Sequence, residues 1–183
     1  MQWRFSYIFL MLAFVGCGKG YNESEVESIS VQQANFQSKQ ERADKAILDV
    51  NKVLSEKETQ QIKKYIERRK WQMKVVGGVF VEMTKQGEGK AITKESIVEL
   101  EYTLGLITGE NFYNSSRDGI KTVRFGVNDT EPAGLLYALL TMRMGDEANL
   151  IVPSYLGYGL YGDGNKISTH ATLVYSIKIV NIK

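Results

Sequence analysis

The side chains that most often carry covalent or metal chemistry are scarce in this sequence. Among its 183 residues there is one histidine, His170, and one cysteine, Cys17. A single cysteine forms no internal disulfide, and this pair offers no metal-ligand spacing. A nucleophilic triad of His170, Asp163 and a serine would need the Gly-x-Ser-x-Gly turn, which the sequence lacks. We therefore expect no metal or other cofactor, and a structural role for His170.

A glycine motif from Gly157 to Gly162 has the literal pattern of a dinucleotide-binding turn. Such a turn lies between a strand and a helix and is followed by an acidic residue about 20 positions later. Here Pro153 precedes the motif and no helical periodicity follows it. We interpret the motif as a loop. The net charge of +2, from 23 basic and 21 acidic residues, does not indicate nucleic-acid binding either.

The first residues have the composition of an export signal. Met1–Arg4 is short and basic, and Phe5–Phe14 is almost entirely apolar. The apolar run is shorter than the ~20 residues that a membrane-spanning helix needs. We therefore expect a signal peptide over residues 1–16, with the mature chain beginning at Cys17.

The end of this signal resembles a bacterial lipobox, in which a small residue precedes a cysteine that is lipidated. Gly16 and Cys17 match that pattern, whereas Phe14 stands where leucine is usual. The resemblance implies an acyl anchor on Cys17, in a protein attached to the outer membrane and facing the periplasm. The alternative is that Cys17 is an ordinary residue after an ordinary cleavage site.

Two segments separate this signal from the rest of the chain. Residues 17–37 are rich in Ser, Glu, Gln and Asn, and we predict a flexible tether there. Residues 38–74 have a helical period. Ser55 followed by Glu58 is a capping-box signature, which predicts a second helix starting at that point. We expect these helices either to pack on their own domain or to pair two chains in a homodimer.

From Val75 onward, short β-branched and aromatic runs replace the helical pattern. Strands are predicted at Val75–Met83, Ile97–Tyr102, Lys121–Val127 and Glu147–Val152, and over the alternating C-terminal segment. A short apolar helix, Leu135–Met142, is entered at Pro132. The sequence thus predicts an antiparallel α+β domain over residues 75–183.

Five segments of this domain, in order, resemble the FKBP-type peptidyl-prolyl cis-trans isomerase family. They are Val98–Thr103, Gly109 with Tyr113–Ser116, Pro132–Leu135 with Met142 and Gly145, Val152–Gly159, and Ile167–Tyr175. The lipobox and the lead-in Arg68-Arg69 before Trp71 are also similar to lipoprotein members from Bacteroidota, including the gliding-motility-associated type.

The resemblance implies a half-wrapped antiparallel sheet around a short helix, with an apolar pocket for a prolyl side chain between them. It implies Tyr158, Asn114 and Tyr102 as catalytic residues and Leu135 as the pocket floor. The other substrate-binding residues are Tyr113, Val123, Pro132, Ile167 and Tyr175. The residue spacing leaves open whether Phe112 or Tyr113 fills its pocket position.

Three positions depart from the family pattern. Asn114 replaces an aspartate, Leu135 replaces a tryptophan, and Pro132 stands where the backbone often donates an N–H to the ligand. We therefore expect weak or selective isomerase activity on proline-containing polypeptides, assisting the folding of exported proteins. The alternatives are a binding module or holdase chaperone on the same fold, and an accessory of a surface machine.

Overall fold

The computed structural model describes residues 23–126 and 131–183. The signal peptide predicted over residues 1–16, and the lipid site predicted at Cys17, lie outside the described residues. The first element is helix α1, Glu23–Arg69, which has 47 residues. No helix within the described ranges combines the length and the apolar character needed to cross a membrane.

The prediction of two helices is wrong, because α1 runs through Ser55 without a break. The Glu58 carboxylate does not cap a new helix but accepts hydrogen bonds from Ser154 and Thr172. Glu58, which the capping pattern predicts at the start of a helix, thus makes a tertiary contact instead. The helix also begins at Glu23, inside the range predicted as a tether. It ends at Arg69, and the next residue, Lys70, has a left-handed φ of 57°.

The strands among the described residues are β1 Lys74–Val76, β2 Val79–Lys85, β3 Ile97–Leu106, β4 Asn111–Asn114, β5 Lys121–Arg124, β6 Glu147–Val152 and β7 Leu173–Ile182. These seven strands form one antiparallel sheet in the order β1-β2-β6-β7-β3-β4, with β5 also paired to β3. Two short helices, α2 Ser115–Asp118 and α3 Ala133–Leu139, and a 3₁₀ turn, Ser154–Leu156, complete the domain. The predicted α+β class, a sheet around a short helix, is confirmed.

Local details of the strands differ from the prediction. The single strand expected over Val75–Met83 is a hairpin, because Gly77 and Gly78 adopt φ values of 56° and 85° that close a turn between β1 and β2. The four-residue strand β4 was not predicted. By contrast, β6 has the predicted bounds and ends where Pro153 removes the next ladder donor.

Helix α3 packs on one face of the sheet and forms the main core with it. Leu135 and Leu139 are fully buried against alternating residues of β3, β6 and β7. Gly134 lets the helix approach closely, since a Cβ built on it would lie 2.5 Å from Cγ1 of Val152. This close packing fixes the position of the α3 N-terminus relative to the sheet.

The last turns of α1 cover part of the opposite face. From Asn51 onward the chain forms one compact unit that includes the sheet. Within this unit, Ile62 and Tyr65 pack on Ile151, whose neighbours in β6 face α3. The Arg69 guanidinium lies 5.1 Å from the ring centre of Tyr65. Strand β6 therefore has buried residues on both faces, whereas the second face of β7 is half-buried at Val174 and exposed at Ser176 and Lys178.

Candidate functional site

The structure brings the predicted pocket residues into one cluster between α3 and the sheet. Tyr102, Val123, Leu135, Ile167 and Tyr175 are buried members of this cluster. The remaining aromatic residues of the prediction, Tyr113 and Tyr158, are half-buried and pack against it. These seven side chains come from six separate segments, so the cluster forms only in the folded chain. We refer to this cluster as the prolyl pocket, after the site that the family resemblance predicts there.

Strands β3 and β7 supply two walls of the prolyl pocket. Tyr175 lies directly opposite Leu104 on the neighbouring strand, and Tyr102 is two residues before Leu104. Because alternate strand residues face the same side of a sheet, both tyrosines point toward α3. On β5, Val123 pairs with Val98 and shares the same buried face. The walls thus follow from the strand register.

Tyr113 and Phe112 both pack against the buried cluster, and the strand register distinguishes them. Tyr113 pairs with Leu104 of β3, which faces α3, whereas the ladder shifts between this pair and the next. Its hydroxyl donates a hydrogen bond to the carboxylate of Asp163, and the Lys166 ammonium lies 5.1 Å from its ring centre. That hydrogen bond raises the pKa of Tyr113 above its ordinary value. Tyr113 therefore bridges the sheet edge and the loop around Asp163.

Asn114 has a different environment from the one predicted for a catalytic acceptor. Its Oδ1 accepts a 2.8 Å hydrogen bond from the backbone N–H of Ser116 and so caps α2. Its own backbone N–H donates to Asp118, whose carboxyl also pairs with Arg117 at 2.9 Å. The Arg117 hydrogen bond is the main cause that lowers the pKa of Asp118 to about 2. Asn114 orders the turn beside the pocket.

Pro132 and Leu135 form the α3 side of the pocket. Pro132 is the N-cap of α3 and is buried, and its carbonyl accepts a 3.0 Å hydrogen bond from the Leu135 N–H. Leu135 has no solvent exposure and is part of the core. Since proline carries no N–H, this end of α3 presents no backbone donor at residue 132.

The glycine motif is a loop, as predicted, and it carries Tyr158. It follows the 3₁₀ turn and no helix comes after it. The His170 N–H donates a 2.8 Å hydrogen bond to the Gly159 carbonyl and closes the loop base. Burial, and then the negative charge of Glu131, raise the pKa of the Tyr158 hydroxyl well above its ordinary value. Tyr158 is therefore a neutral donor at physiological pH.

The sequence suggests no role for Asp163 beyond membership of a triad, whereas in the structure Asp163 organises a turn. Its Oδ1 accepts the backbone N–H groups of Asn165, Lys166 and Ile167 at 2.9, 2.9 and 2.8 Å. Burial opposes ionisation, but the hydrogen bonds from Tyr113 and these N–H groups outweigh it and lower the pKa of Asp163. The local sequence signal for this turn is Asp163-Gly164-Asn165, which is typical of tight turns.

Lys121 and Glu131 form an ion pair that the sequence did not predict. The Lys121 Nζ lies 2.6 Å from Glu131 Oε1, with side-chain exposures of 20% and 17%. The same ammonium lies 5.3 Å from the Tyr102 ring centre. The site as a whole is an apolar, aromatic cluster with tyrosine hydroxyls and one ion pair. It suits non-covalent binding of an apolar group beside a carbonyl.

Comparison with known families gives a match over residues 88–180, to the family described as FKBP-type peptidyl-prolyl cis-trans isomerase. A probable FKBP-type peptidyl-prolyl cis-trans isomerase FkpA from Neisseria meningitidis serogroup B is 40% identical over 105 residues. That match covers 57% of this chain and 38% of the Neisseria protein. A 22 kDa FKBP-type isomerase from Escherichia coli is 33% identical, with 57% and 50% covered.

Solved structures show the same fold. FkpA from Escherichia coli aligns with a TM-score of 0.58 at 21% identity, covering 89% of this chain and 74% of that one. A peptidyl-prolyl cis-trans isomerase from Pseudomonas syringae aligns with a TM-score of 0.58 at 23% identity, covering 70% and 96%. The fold is therefore shared with proteins whose sequences are only 21% and 23% identical to this one.

Proposed function

Because the chain belongs to the FKBP-type peptidyl-prolyl cis-trans isomerase family, we propose that it isomerises X–Pro bonds in exported proteins at the cell envelope. The observation that carries the proposal is the position of Tyr158. This half-buried, neutral phenol packs against the buried cluster that contains Leu135, Tyr102 and Tyr175, which are the floor and walls of the pocket in this proposal. In the proposed mechanism its hydroxyl donates a hydrogen bond to a substrate carbonyl.

The mechanism uses binding alone. Rotation about an X–Pro bond faces a barrier of ~18–20 kcal/mol because amide resonance must be broken. A twisted amide has less charge separation than a planar one, so a desolvated apolar pocket binds the twisted form relatively better. Leu135 supports the proline ring, Tyr102, Tyr175 and Ile167 exclude water around it, and Tyr158 holds the carbonyl.

The absence of an N–H at Pro132 limits this catalysis. A hydrogen bond of that kind is worth about 0.5–1.5 kcal/mol, which is up to about tenfold in affinity. We therefore propose an isomerase of low or selective activity.

Refolding of a proline-limited exported protein tests the function. Without a catalyst, the slow prolyl phase of refolding takes about 10–100 s. The chain from Cys17 to Lys183, with Cys17→Ser, is expected to shorten it. Suppression of aggregation with no acceleration of that phase would contradict the isomerase and support a holdase. A control reaction with a substrate that has no slow prolyl phase separates the two activities.

We propose further that the protein is anchored by lipid on Cys17 in the outer membrane and faces the periplasm. The support is the basic start, the apolar run and the Gly16-Cys17 pair of the sequence. Mass spectrometry of the protein from cells is expected to find an acylated N-terminal Cys17 in the membrane fraction. An unmodified Cys17, or no change in fractionation with Cys17→Ser, would contradict the anchor.

A homodimer through the N-terminal helix is a separate proposal. Ile47 and Leu48 on α1 have exposures of 58% and 67%, which is costly for apolar side chains in water. Light scattering is expected to give twice the chain mass for the wild type and one chain mass for Ile47→Glu with Leu48→Glu. A monomeric wild type would contradict it.

A further inference from the structure

Tyr158 lies between two glycines whose backbone N–H groups donate to the same carbonyl, that of Ser154. Gly157 donates to this oxygen at 3.1 Å and Gly159 at 3.2 Å. The Gly159 carbonyl in turn accepts the N–H of His170 at 2.8 Å. The backbone on both sides of Tyr158 therefore follows the position of Ser154.

Ser154 is the first residue of the 3₁₀ turn Ser154–Leu156, and its own donors find their acceptor in another element. The residue before the turn, Pro153, forms no side-chain cap. The N–H groups at the start of a helical turn have no partner within the turn and need one from outside. Here Glu58 accepts the Ser154 N–H at 2.7 Å and the Ser154 hydroxyl at 3.0 Å. Glu58 thus caps this turn from α1.

The same carboxylate also holds the other end of the segment that contains Tyr158. The Thr172 hydroxyl donates to Glu58 Oε1 at 2.5 Å, and Thr172 directly precedes β7. Strands β6 and β7 end their pairing at Val152 and Leu173. Glu58 therefore binds both ends of the Tyr158 segment close to the point where the ladder of the sheet stops.

Hydrogen bonds rather than apolar packing join α1 to this segment. A cavity of about 840 Å³ lies between them. The apolar residues that line it are each at least half exposed, and they are Leu54, Tyr155 and Leu160. The buried apolar residues of α1, Ile62 and Tyr65, pack on the sheet instead. On the α1 side, the carboxylate of Glu58 is therefore what holds Ser154 in place.

Resting on the proposed isomerase function, we propose that Glu58 is a positioning residue for Tyr158. It acts through Ser154, whose carbonyl orders the two glycines beside the tyrosine. A displacement of about 1 Å in a group that holds the substrate can cost up to about 100-fold in rate. The final turns of α1 are thus part of the catalytic unit and not only a support for the sheet.

Two variants of similar size, Glu58→Met and Glu58→Gln, test this in the chain from Cys17 to Lys183 with Cys17→Ser. Methionine offers only a weakly accepting sulfur, whereas glutamine keeps a carbonyl oxygen, and the Ser154 hydroxyl can accept from its amide. We expect kcat/KM on a prolyl peptide to fall about tenfold in Glu58→Met and to stay within about threefold of wild type in Glu58→Gln. Glu56→Met, at an exposed position on α1, should leave it unchanged.

The same substitution in a Tyr158→Phe background separates positioning from a general loss of structure. If Glu58 acts through the Tyr158 hydroxyl, Glu58→Met should lower kcat/KM by less than about twofold once that hydroxyl is absent. A loosened or partly unfolded protein would lose activity by the same factor in both backgrounds. Equal factors in the two backgrounds, or a loss in Glu58→Gln as large as in Glu58→Met, would overturn the inference.

Thermal unfolding checks that each variant is folded at the assay temperature. If Glu58→Met does not fold, Ser154→Ala removes one of the two hydrogen bonds between Ser154 and Glu58. It is expected to lower kcat/KM about threefold when Tyr158 is present and to have no effect in the Tyr158→Phe background. Equal changes in both backgrounds would overturn the inference. A wild type that isomerises no peptide contradicts the proposed function itself, whereas an active wild type with equal factors contradicts only the role of Glu58.

Discussion

The hydroxyl of Tyr113 on β4 donates a hydrogen bond to Asp163, 50 residues later in the chain. The same carboxylate accepts three backbone N–H groups of its own turn, including that of Ile167 at 2.8 Å. One ionised group thus fixes the turn and attaches it to the sheet edge. Tyr158 and Ile167 lie on either side of this point, so the shape of the pocket depends on Asp163.

Asp163→Asn is expected to lower kcat/KM about tenfold on a prolyl peptide, because a hydrogen bond to a charged group contributes about 1.5–3 kcal/mol. The amide retains one acceptor oxygen and cannot hold four donors. Tyr113→Phe removes only the cross-loop bond and is expected to have a smaller effect. Equal activity of Asp163→Asn and wild type would show that the turn does not position the pocket.

Alkaline pH is expected to destabilise the fold through its buried tyrosines. Burial is the main cause that raises the pKa of Tyr175 well above its ordinary value. A raised pKa means that the folded state keeps the proton up to a higher pH than the unfolded state does. The contribution is therefore present below about pH 10 and is lost as pH rises through the folded-state value.

Urea unfolding between pH 8 and pH 11 measures this contribution. Tyr175→Phe is expected to lose less free energy of unfolding over that range than the wild type does. Tyr137→Phe, an exposed tyrosine on α3, serves as the control and should follow the wild type. A Tyr175→Phe curve parallel to the wild-type curve would contradict the assigned cause.

How much of this fold is readable from the sequence depends on the range of the interactions. Strand β6 is predicted to the residue because its apolar end and Pro153 are local signals. Strand β4 has four residues, and its pairing with β3 is the only reason it is a strand. The Ser55–Glu58 pattern is misleading because Glu58 is engaged by residues about 100 positions away.

The residues of the site also divide into those that a sequence pattern predicts and those that only long-range packing brings together. The apolar pocket residues follow from ordered motifs that share a family pattern. The Lys121–Glu131 pair has no local signature, since its members lie in a strand and before a helix and meet only when α3 packs on the sheet. Asn114 was assigned from the same motif, but the cap of α2 that it forms was not predicted.

Glu58 is expected to be a major link between α1 and the loop region. It accepts hydrogen bonds from the Ser154 N–H at 2.7 Å, the Ser154 hydroxyl at 3.0 Å and the Thr172 hydroxyl at 2.5 Å. Glu58→Ala is expected to lower the free energy of unfolding by about 1–3 kcal/mol, because these donors lose their acceptor. The control Glu56→Ala, at an exposed position on α1, should change it by less than about 0.5 kcal/mol. Equal effects would contradict the anchoring role.

Gly134 is expected to tolerate no larger side chain, since even a Cβ would meet Val152 Cγ1 at 2.5 Å. Gly134→Val should cost about 1–3 kcal/mol more than Ala133→Val, which places the same β-branched residue at the exposed neighbouring position of α3. Denaturant unfolding of both variants measures the difference. A difference near zero would mean that α3 can move away from β6 without cost.

The central claim is that Tyr158 and the pocket around it catalyse prolyl isomerisation. Protease-coupled isomerisation of a prolyl peptide, comparing wild type, Tyr158→Phe and Tyr161→Phe, tests it most directly. Tyr161 is in the same loop but is 89% exposed, so its variant controls for loss of a loop hydroxyl. We predict acceleration by the wild type and by Tyr161→Phe, and a reduction of about tenfold in kcat/KM for Tyr158→Phe. No acceleration by the wild type, or equal rates for all three proteins, would contradict the account.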